Sequence, residues 1–319
     1  MVLMKKSWAL AATLPLVLSL AACGGSEDGA AADGKISVAA SFYPFAYAAQ
    51  QVGGDLVDVD NLTAPGVEPH DLELKPKQVA AVQDADLVVF EEHFQAAVDE
   101  AVDQADRSDD DTLDVASVVR LKPTQAGAEE EHEGEDHAEE DDHDHGDEDP
   151  HTWLDPQNMI AIAKALDTKL AAVDPDNAQT YAENTTAFVN RLASLDEDFQ
   201  SGLATCRTRT IVTSHAAFQY LAARYDLTQV PIAGIDPSNE PSPSQLADIT
   251  QLVKDQGITT IFTEELVSPA IADTIAKETG ATTATLDPIE GLSENTADED
   301  YVSLMLKNLD TLEKANSCS

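Results

Sequence analysis

Between Pro175 and Gly202 the chain runs for 26 residues without a glycine or a proline. Apolar or small residues recur there at 178, 181, 182, 185, 188, 189, 192, 195, 199 and 203, the stripe of an amphipathic helix. At 1.5 Å per residue that helix is roughly 40 Å long, more than a crossover inside one sheet needs. It falls midway between two sets of short β-rich runs. Residues 36–40, 56–62, 87–90 and 113–115 precede it, and 210–213, 229–235, 259–262 and 283–286 follow it. Helices between the runs begin at Asp155-Pro156, Asp174-Pro175, Ser242-Pro243 and Ser268-Pro269, each a capping residue before a proline suited to the first helical position. Gly257 and Gly280 mark helix ends. Strands alternating with helices predict parallel sheets covered on both faces. The expectation is an α/β fold with two βα lobes, residues 35–173 and 205–319, joined by one long rigid helix over 174–204. A hairpin of two shorter helices is the alternative for that stretch.

The N-terminus bears on compartment. Residues 1–22 carry Lys5 and Lys6, an apolar run from Trp8 to Leu20 and small residues before Cys23, the parts of a secretory signal peptide. Leu20-Ala21-Ala22-Cys23 resembles a bacterial lipobox, which implies cleavage before Cys23, a lipid anchor on its thiol and an extracytoplasmic tether over 23–34. A plain secretion signal with a free cysteine is the alternative. Cys206 and Cys318 remain, an even count that suggests a disulfide outside the cytosol; two buried thiols are the alternative. Without Lys5 and Lys6 the mature chain has 16 basic and 60 acidic residues, a net charge of −44. Such a balance excludes nucleic acid, which needs a basic footprint, and favours cations as partners.

Residues 129–149 hold 14 Asp/Glu, four histidines (His132, His137, His143 and His145) and no Lys or Arg. A tract like this repels itself, has almost nothing apolar to bury and is expected not to fold alone. Imidazole and carboxylate are both zinc ligands, so it suits a weak auxiliary collector of metal.

Three other histidines sit at element ends. His70 lies in Ala64-Pro65-Gly66-Val67-Glu68-Pro69-His70-Asp71, His151 in the proline-rich turn before residue 156, and His215 just after the run 210–213. In open α/β sheets ligands bind beyond the carboxyl ends of strands. Ligands 60–80 residues apart suit a cleft between lobes, unlike the close-spaced chelates of structural zinc sites. His93, in Glu91-Glu92-His93-Phe94, has no comparable context.

The segments GVEPHDLELKP, DPHTWLDPQNM, TIVTSHAAFQYLA, EPSPSQL and TATLDPIEGL resemble the zinc- and manganese-binding solute-binding lipoproteins of bacterial ABC importers, over nearly the whole mature chain. The resemblance implies two lobes on a helical spine with metal between them, and His70, His151 and His215 as three ligands. Glu290 is implied as the fourth, with Asp287 the runner-up and Glu68 or a water as further alternatives. It also implies a monomer at the outer face of the cell membrane, Zn2+ as the transported ligand, an ABC permease as partner and no catalysed reaction.

Three imidazoles and one carboxylate suit tetrahedral zinc, whereas manganese prefers more oxygen. Manganese-type relatives resemble this chain but place Glu where His215 stands. Manganese import, a surface metal buffer or adhesin, and a secreted zinc hydrolase are the other readings. For the last there is no His-Glu-x-x-His helix and no Gly-x-Ser-x-Gly elbow.

Overall fold

The structure, a computed structural model, describes residues 34–124 and 148–319. The expectations for the signal and the Cys23 anchor, and for His132, His137, His143 and His145, fall outside the described residues.

The first half runs β1 (Ile36–Ala40), α1 (Tyr43–Gly53), β2 (Val57–Asn61), α2 (Pro76–Asp84), β3 (Leu87–Phe90), α3 (Ala96–Gln104) and β4 (Thr112–Asp114). A two-stranded antiparallel pair follows, β5 (Lys122–Pro123) with β6 (Glu148–Asp149), and then α4 (Pro156–Val173) and α5 (Ala178–Gly202). The second half runs β7 (Thr210–Thr213), α6 (Gln219–Arg224), β8 (Thr228–Pro231), α7 (Pro243–Gln256), β9 (Thr260–Thr263), α8 (Ala270–Thr279), β10 (Thr282–Thr285) and α9 (Tyr301–Ala315).

Both four-stranded sheets are parallel and share one topology. The first has the order β2-β1-β3-β4 and the second β10-β9-β7-β8, so each chain path reverses direction beside its first strand. Helices α1, α4, α5 and α9 contribute to one continuous core that includes residues of both sheets. The remaining faces carry smaller cores of their own. Leu62, Val82, Val88 and Val98 fill one with α2 and α3, and Val212, Ile249, Val253, Ile261 and Ile275 fill the other with α7 and α8.

The local signals work as their chemistry requires. Asp155 Oδ1 accepts from the Gln157 amide (2.8 Å) at the start of α4. Ser242 and Gln245 form a reciprocal capping box on α7. Gly257 and Gly280 close α7 and α8 in the left-handed conformation, which a Cβ would penalise. α8 differs by one residue from the sequence reading, with Pro269 at its N-cap and Ala270 first in the helix.

The long helix is present with one change. Residues 175–177 form a 3-10 turn and α5 itself spans 25 residues, or about 37 Å. It packs beside the preceding α4. Tyr181, Thr185, Phe188, Leu192, Leu195 and Phe199 are buried along its stripe, and so is Asp196. β8 stops at Pro231, short of the expected 235, and its chain then turns back toward β7 through Ile232 N–Thr213 O (2.8 Å) and Ala233 N–Ser214 O (2.8 Å). The largest correction concerns the acidic tract. Its last two residues, Glu148 and Asp149, pair with Pro123 and Lys122, and Asp149 is buried. Cys206 and Cys318 form a disulfide that ties the chain after α5 to the end of α9.

Candidate metal centre

Four segments deliver four side chains to one point. His70 stands on the turn between β2 and α2. The Pro69 carbonyl there accepts from Gln95 Nε2 (3.1 Å) and from the Leu72 amide (3.3 Å). His151 stands between β6 and α4, and His215 directly follows β7. Glu290 follows β10, on a turn where Ile289 adopts a φ of 58°. Asp287 Oδ1 holds that turn by accepting from the Ile289 amide (2.8 Å), and Asn308 brackets the Asp287 backbone at both N and O.

His151, His215 and Glu290 are buried essentially completely and His70 nearly so. Glu290 Oε1 lies 3.3 Å from Nε2 of His151, 3.3 Å from Nε2 of His215 and 3.5 Å from Nε2 of His70. The Nε2 atoms of His151 and His215 are 3.2 Å apart, and one donor atom from each residue lies within 4.8 Å of the other three. Four N/O donors around zinc, each about 2.0–2.1 Å away, are about 3.3 Å from one another. The three separations from Glu290 and the one between His151 and His215 are close to that figure.

Two carboxylates behind the ring orient it. Asp149 Oδ1 takes both the backbone N–H (2.9 Å) and Nδ1 (2.7 Å) of His151. Glu264 Oε1 takes both the backbone N–H (3.1 Å) and Nδ1 (2.7 Å) of His215. With Nδ1–H engaged outward, each neutral imidazole turns its Nε2 lone pair inward, which is the tautomer a metal needs. The two Nε2 atoms stand 3.2 Å apart, and a cation between them takes the place of any proton held there.

The electrostatics follow from burial and neighbours. Burial alone would lower His215 and His151, but the carboxylates facing them reverse the sign. Glu264 and Glu290 hold His215 well above its usual value, and Asp149 with Glu290 raises His151. Burial lowers His70 to about 4, against an upward pull from Glu290. Burial would raise Glu290, yet the three imidazoles hold it well below the usual carboxylate range. Phe94 and Trp153 form an apolar wall against the imidazoles, with ring centroids 4.8 Å from His70 and 5.3 Å from His151 respectively.

The other sequence candidates lie elsewhere. Asp287 and Glu68 are not in the cluster. Glu68 accepts from the Asp71 amide (3.2 Å), and burial pushes its carboxyl up to about 8. His93 is exposed, with a φ of 68°. Asp71, Asp149, Asp155 and Ser214 lie near the histidines in sequence and could support them, and of these Asp149 fills that role. Asp155 caps α4, and Ser214 donates to the Phe262 carbonyl (3.1 Å). Sequence reasoning missed Glu264. The available signal was an acid at the end of β9, the parallel neighbour of β7 at the reversal point of the second sheet.

Two parallel sheets flanking a continuous helical core, with this cluster beyond their strand ends, define an α/β protein of the solute-binding class. Residues 38–315 match the family of zinc-uptake complex component A, periplasmic (ZnuA). The chain belongs to that family. It is 39% identical over 314 residues to the zinc-binding lipoprotein AdcA of Streptococcus pneumoniae strain R6, covering 98% of this chain but only 61% of that protein. It is 36% identical over 301 residues to the high-affinity zinc uptake system protein ZnuA of Bacillus subtilis, covering 92% of this chain and 93% of that one. The fold resembles the Zn(II)-bound ZnuA-like domain of pneumococcal AdcA, with a TM-score of 0.73 and 36% identity over 89% of this chain and 99% of that one. It also resembles the laminin-binding protein Lmb of Streptococcus agalactiae, described as an adhesin with metal-transporting activity, at a TM-score of 0.75 and 33% identity over 88% and 99% of the two chains.

Proposed function

We propose that this chain captures zinc outside the cytoplasmic membrane and delivers it to an ABC-type permease. His70, His151, His215 and Glu290 are its ligands in this reading, and residues 35–173 and 205–319 act as lobes joined by α5. One observation carries the proposal: three imidazoles and one carboxylate, from four distant segments, bring their donor atoms into one buried cluster, with the Glu290 contacts and the His151–His215 pair at separations near those of a tetrahedral zinc shell. Three nitrogen donors and one oxygen favour zinc over manganese. Zinc is cargo here, and no reaction on it is proposed. The stiff helical spine permits only slight closure of the lobes, and release follows from distortion of the site on docking.

No helix among the described residues is long and apolar enough to cross a membrane. In this reading the attachment is a lipid on Cys23 and the working form is a monomer. The test is metal analysis and chelator competition on the purified protein beside a His215→Glu variant. One zinc per chain held far more tightly than manganese, with that preference lost in the variant, is expected. Manganese in the native protein, or no tight binding of either metal, would overturn the proposal.

A further inference from the structure

Trp153 lies two residues beyond His151 and is fully buried. Its ring is packed within the first half of the molecule, with centroids 4.7 Å from Phe42, 5.6 Å from Phe94 and 5.3 Å from His151. Its polar contacts point the other way. The indole Nε1–H donates to the Pro288 carbonyl (2.7 Å), and the Trp153 carbonyl accepts from Tyr301 Oη (2.5 Å) at the start of α9. Pro288 lies two residues before Glu290. A single rigid side chain therefore spans from the turn carrying His151 to the turn carrying Glu290. Glu290 Oε1 and His151 Nε2 stand 3.3 Å apart at the other end of that span.

We propose that Trp153 is a positioning residue that holds His151 and Glu290 at ligand spacing across the cleft, and that its indole hydrogen bond to Pro288 sets how long zinc stays bound. The inference rests on the zinc reading above. Tryptophan suits the task because a large apolar body fixes the indole while its one N–H must find a partner when buried. Phenylalanine at this position keeps most of the packing and lacks the donor. A carbonyl left unpaired in a buried site disfavours the closed arrangement, and ligands that drift apart release their ion sooner.

The test compares full-length wild type with Trp153→Phe and Tyr301→Phe. Zinc dissociation is followed with a chromophoric chelator, and thermal unfolding is measured without metal. Outer-shell changes at metal sites typically cost about 10–100-fold. Trp153→Phe is expected to speed dissociation about 10-fold and Tyr301→Phe less, with no matching loss of stability in the metal-free protein. A merely structural role would move the metal-free unfolding and leave the dissociation rate alone, and that result overturns the inference.

A second measurement needs no variant to fold. With 15N-labelled tryptophan, the Trp153 indole N–H is expected to exchange with solvent more slowly in the zinc-loaded protein than in the metal-free one. Equal exchange in the two states overturns the inference. Wild type that binds no zinc would instead overturn the underlying reading, so the two failures are separable.

Discussion

The cluster at His70, His151, His215 and Glu290 is buried throughout, and the cluster around the buried Asp196 is partly exposed; both are polar, and both join the approach to α4 to the β7–α6 segment. Their charge balance differs. Asp196, on α5, receives Arg224 through Nε (2.6 Å) and Nη2 (2.5 Å), together with Tyr225 Oη (2.9 Å), Gln157 Nε2 (3.0 Å) and Gln200 Nε2 (2.9 Å). Arg224 Nε also lies 3.2 Å from Asp155, the cap of α4. Negative charge meets a resident guanidinium, and the network closes on itself. At Glu290 a carboxylate instead meets three imidazole nitrogens, two of which have their other nitrogen engaged by a further carboxylate. A buried polar group costs free energy unless it is matched. The matched cluster is therefore a fastening, and the acceptor-rich one is a receptor for a cation.

The contrast is sharpest when one member of each cluster is removed. Glu290→Ala is expected to weaken zinc binding by roughly a thousand-fold, about 4 kcal/mol, with a smaller loss of metal-free stability from the imidazoles it leaves unpaired. Arg224→Ala is expected to do the reverse. It strands Asp196, whose side chain is 7% exposed, and should lower stability by about 2–3 kcal/mol with zinc affinity nearly unchanged. Isothermal titration of zinc and denaturant unfolding of both variants check the pair. Equal effects on binding and stability in both would erase the distinction.

A smaller change separates charge from geometry. Glu264→Gln retains an oxygen able to accept from the His215 ring and amide but loses the negative charge. Supporting carboxylates of this kind typically contribute about 10–100-fold to metal affinity. The expected loss lies in that range for Glu264→Gln and is greater for Glu264→Ala, measured by competition with a calibrated chelator. Unchanged affinity in Glu264→Gln would mean that orientation, and not charge, is what Glu264 supplies.

The two clusters also differed in how far the sequence revealed them. His70, His151 and His215 were legible because each stands at an element end, two of them in proline-flanked turns that a lone core histidine would not need. Glu290 and Asp287 could be separated only by resemblance, since both fall within one Leu-Asp-Pro-Ile-Glu-Gly turn. The backbone shows why their roles differ: Asp287 stabilises the turn and Glu290 projects from it. Asp149 was one of four groups, with Asp71, Asp155 and Ser214, that lie near the histidines in sequence and could support them, and the sequence did not single it out. It ends an acidic tract, and nothing in a run of carboxylates marks the one that becomes buried. Glu264 was hidden because its partner is 49 residues away and the sheet order is not written in local pattern. Asp196 sits beside the apolar stripe of α5, where a helical acid reads as solvated until Arg224 is seen opposite it.

The gentlest test of the comparison is pH. Of the two clusters, the cation-receptor one holds imidazoles raised above their usual value, so metal-free and zinc-loaded protein should respond with opposite slopes. His151 and His215 are raised above 6.5 in the folded protein. The stability they contribute is fully present below pH 6.5 and is lost as pH rises through their folded values. Burial also pushes Glu68 up to about 8 and Asp287 up to about 7. Each holds its proton where the unfolded chain has released it, so stability declines as pH climbs toward those values. Glu290 is shifted downward, so its contribution is present above about pH 4.5 and constant here. His70 titrates near 4, and its opposing effect is essentially complete above 6.5. Metal-free protein should therefore lose stability between pH 6.5 and 8. Zinc must displace the protons of His151 and His215, so its affinity should rise over the same interval, by up to about tenfold per pH unit for each proton displaced. Thermal unfolding of both forms at half-unit steps checks the divergence. Parallel curves would show that zinc meets imidazoles already deprotonated, and would remove proton displacement from the account of how this pocket accepts its ion.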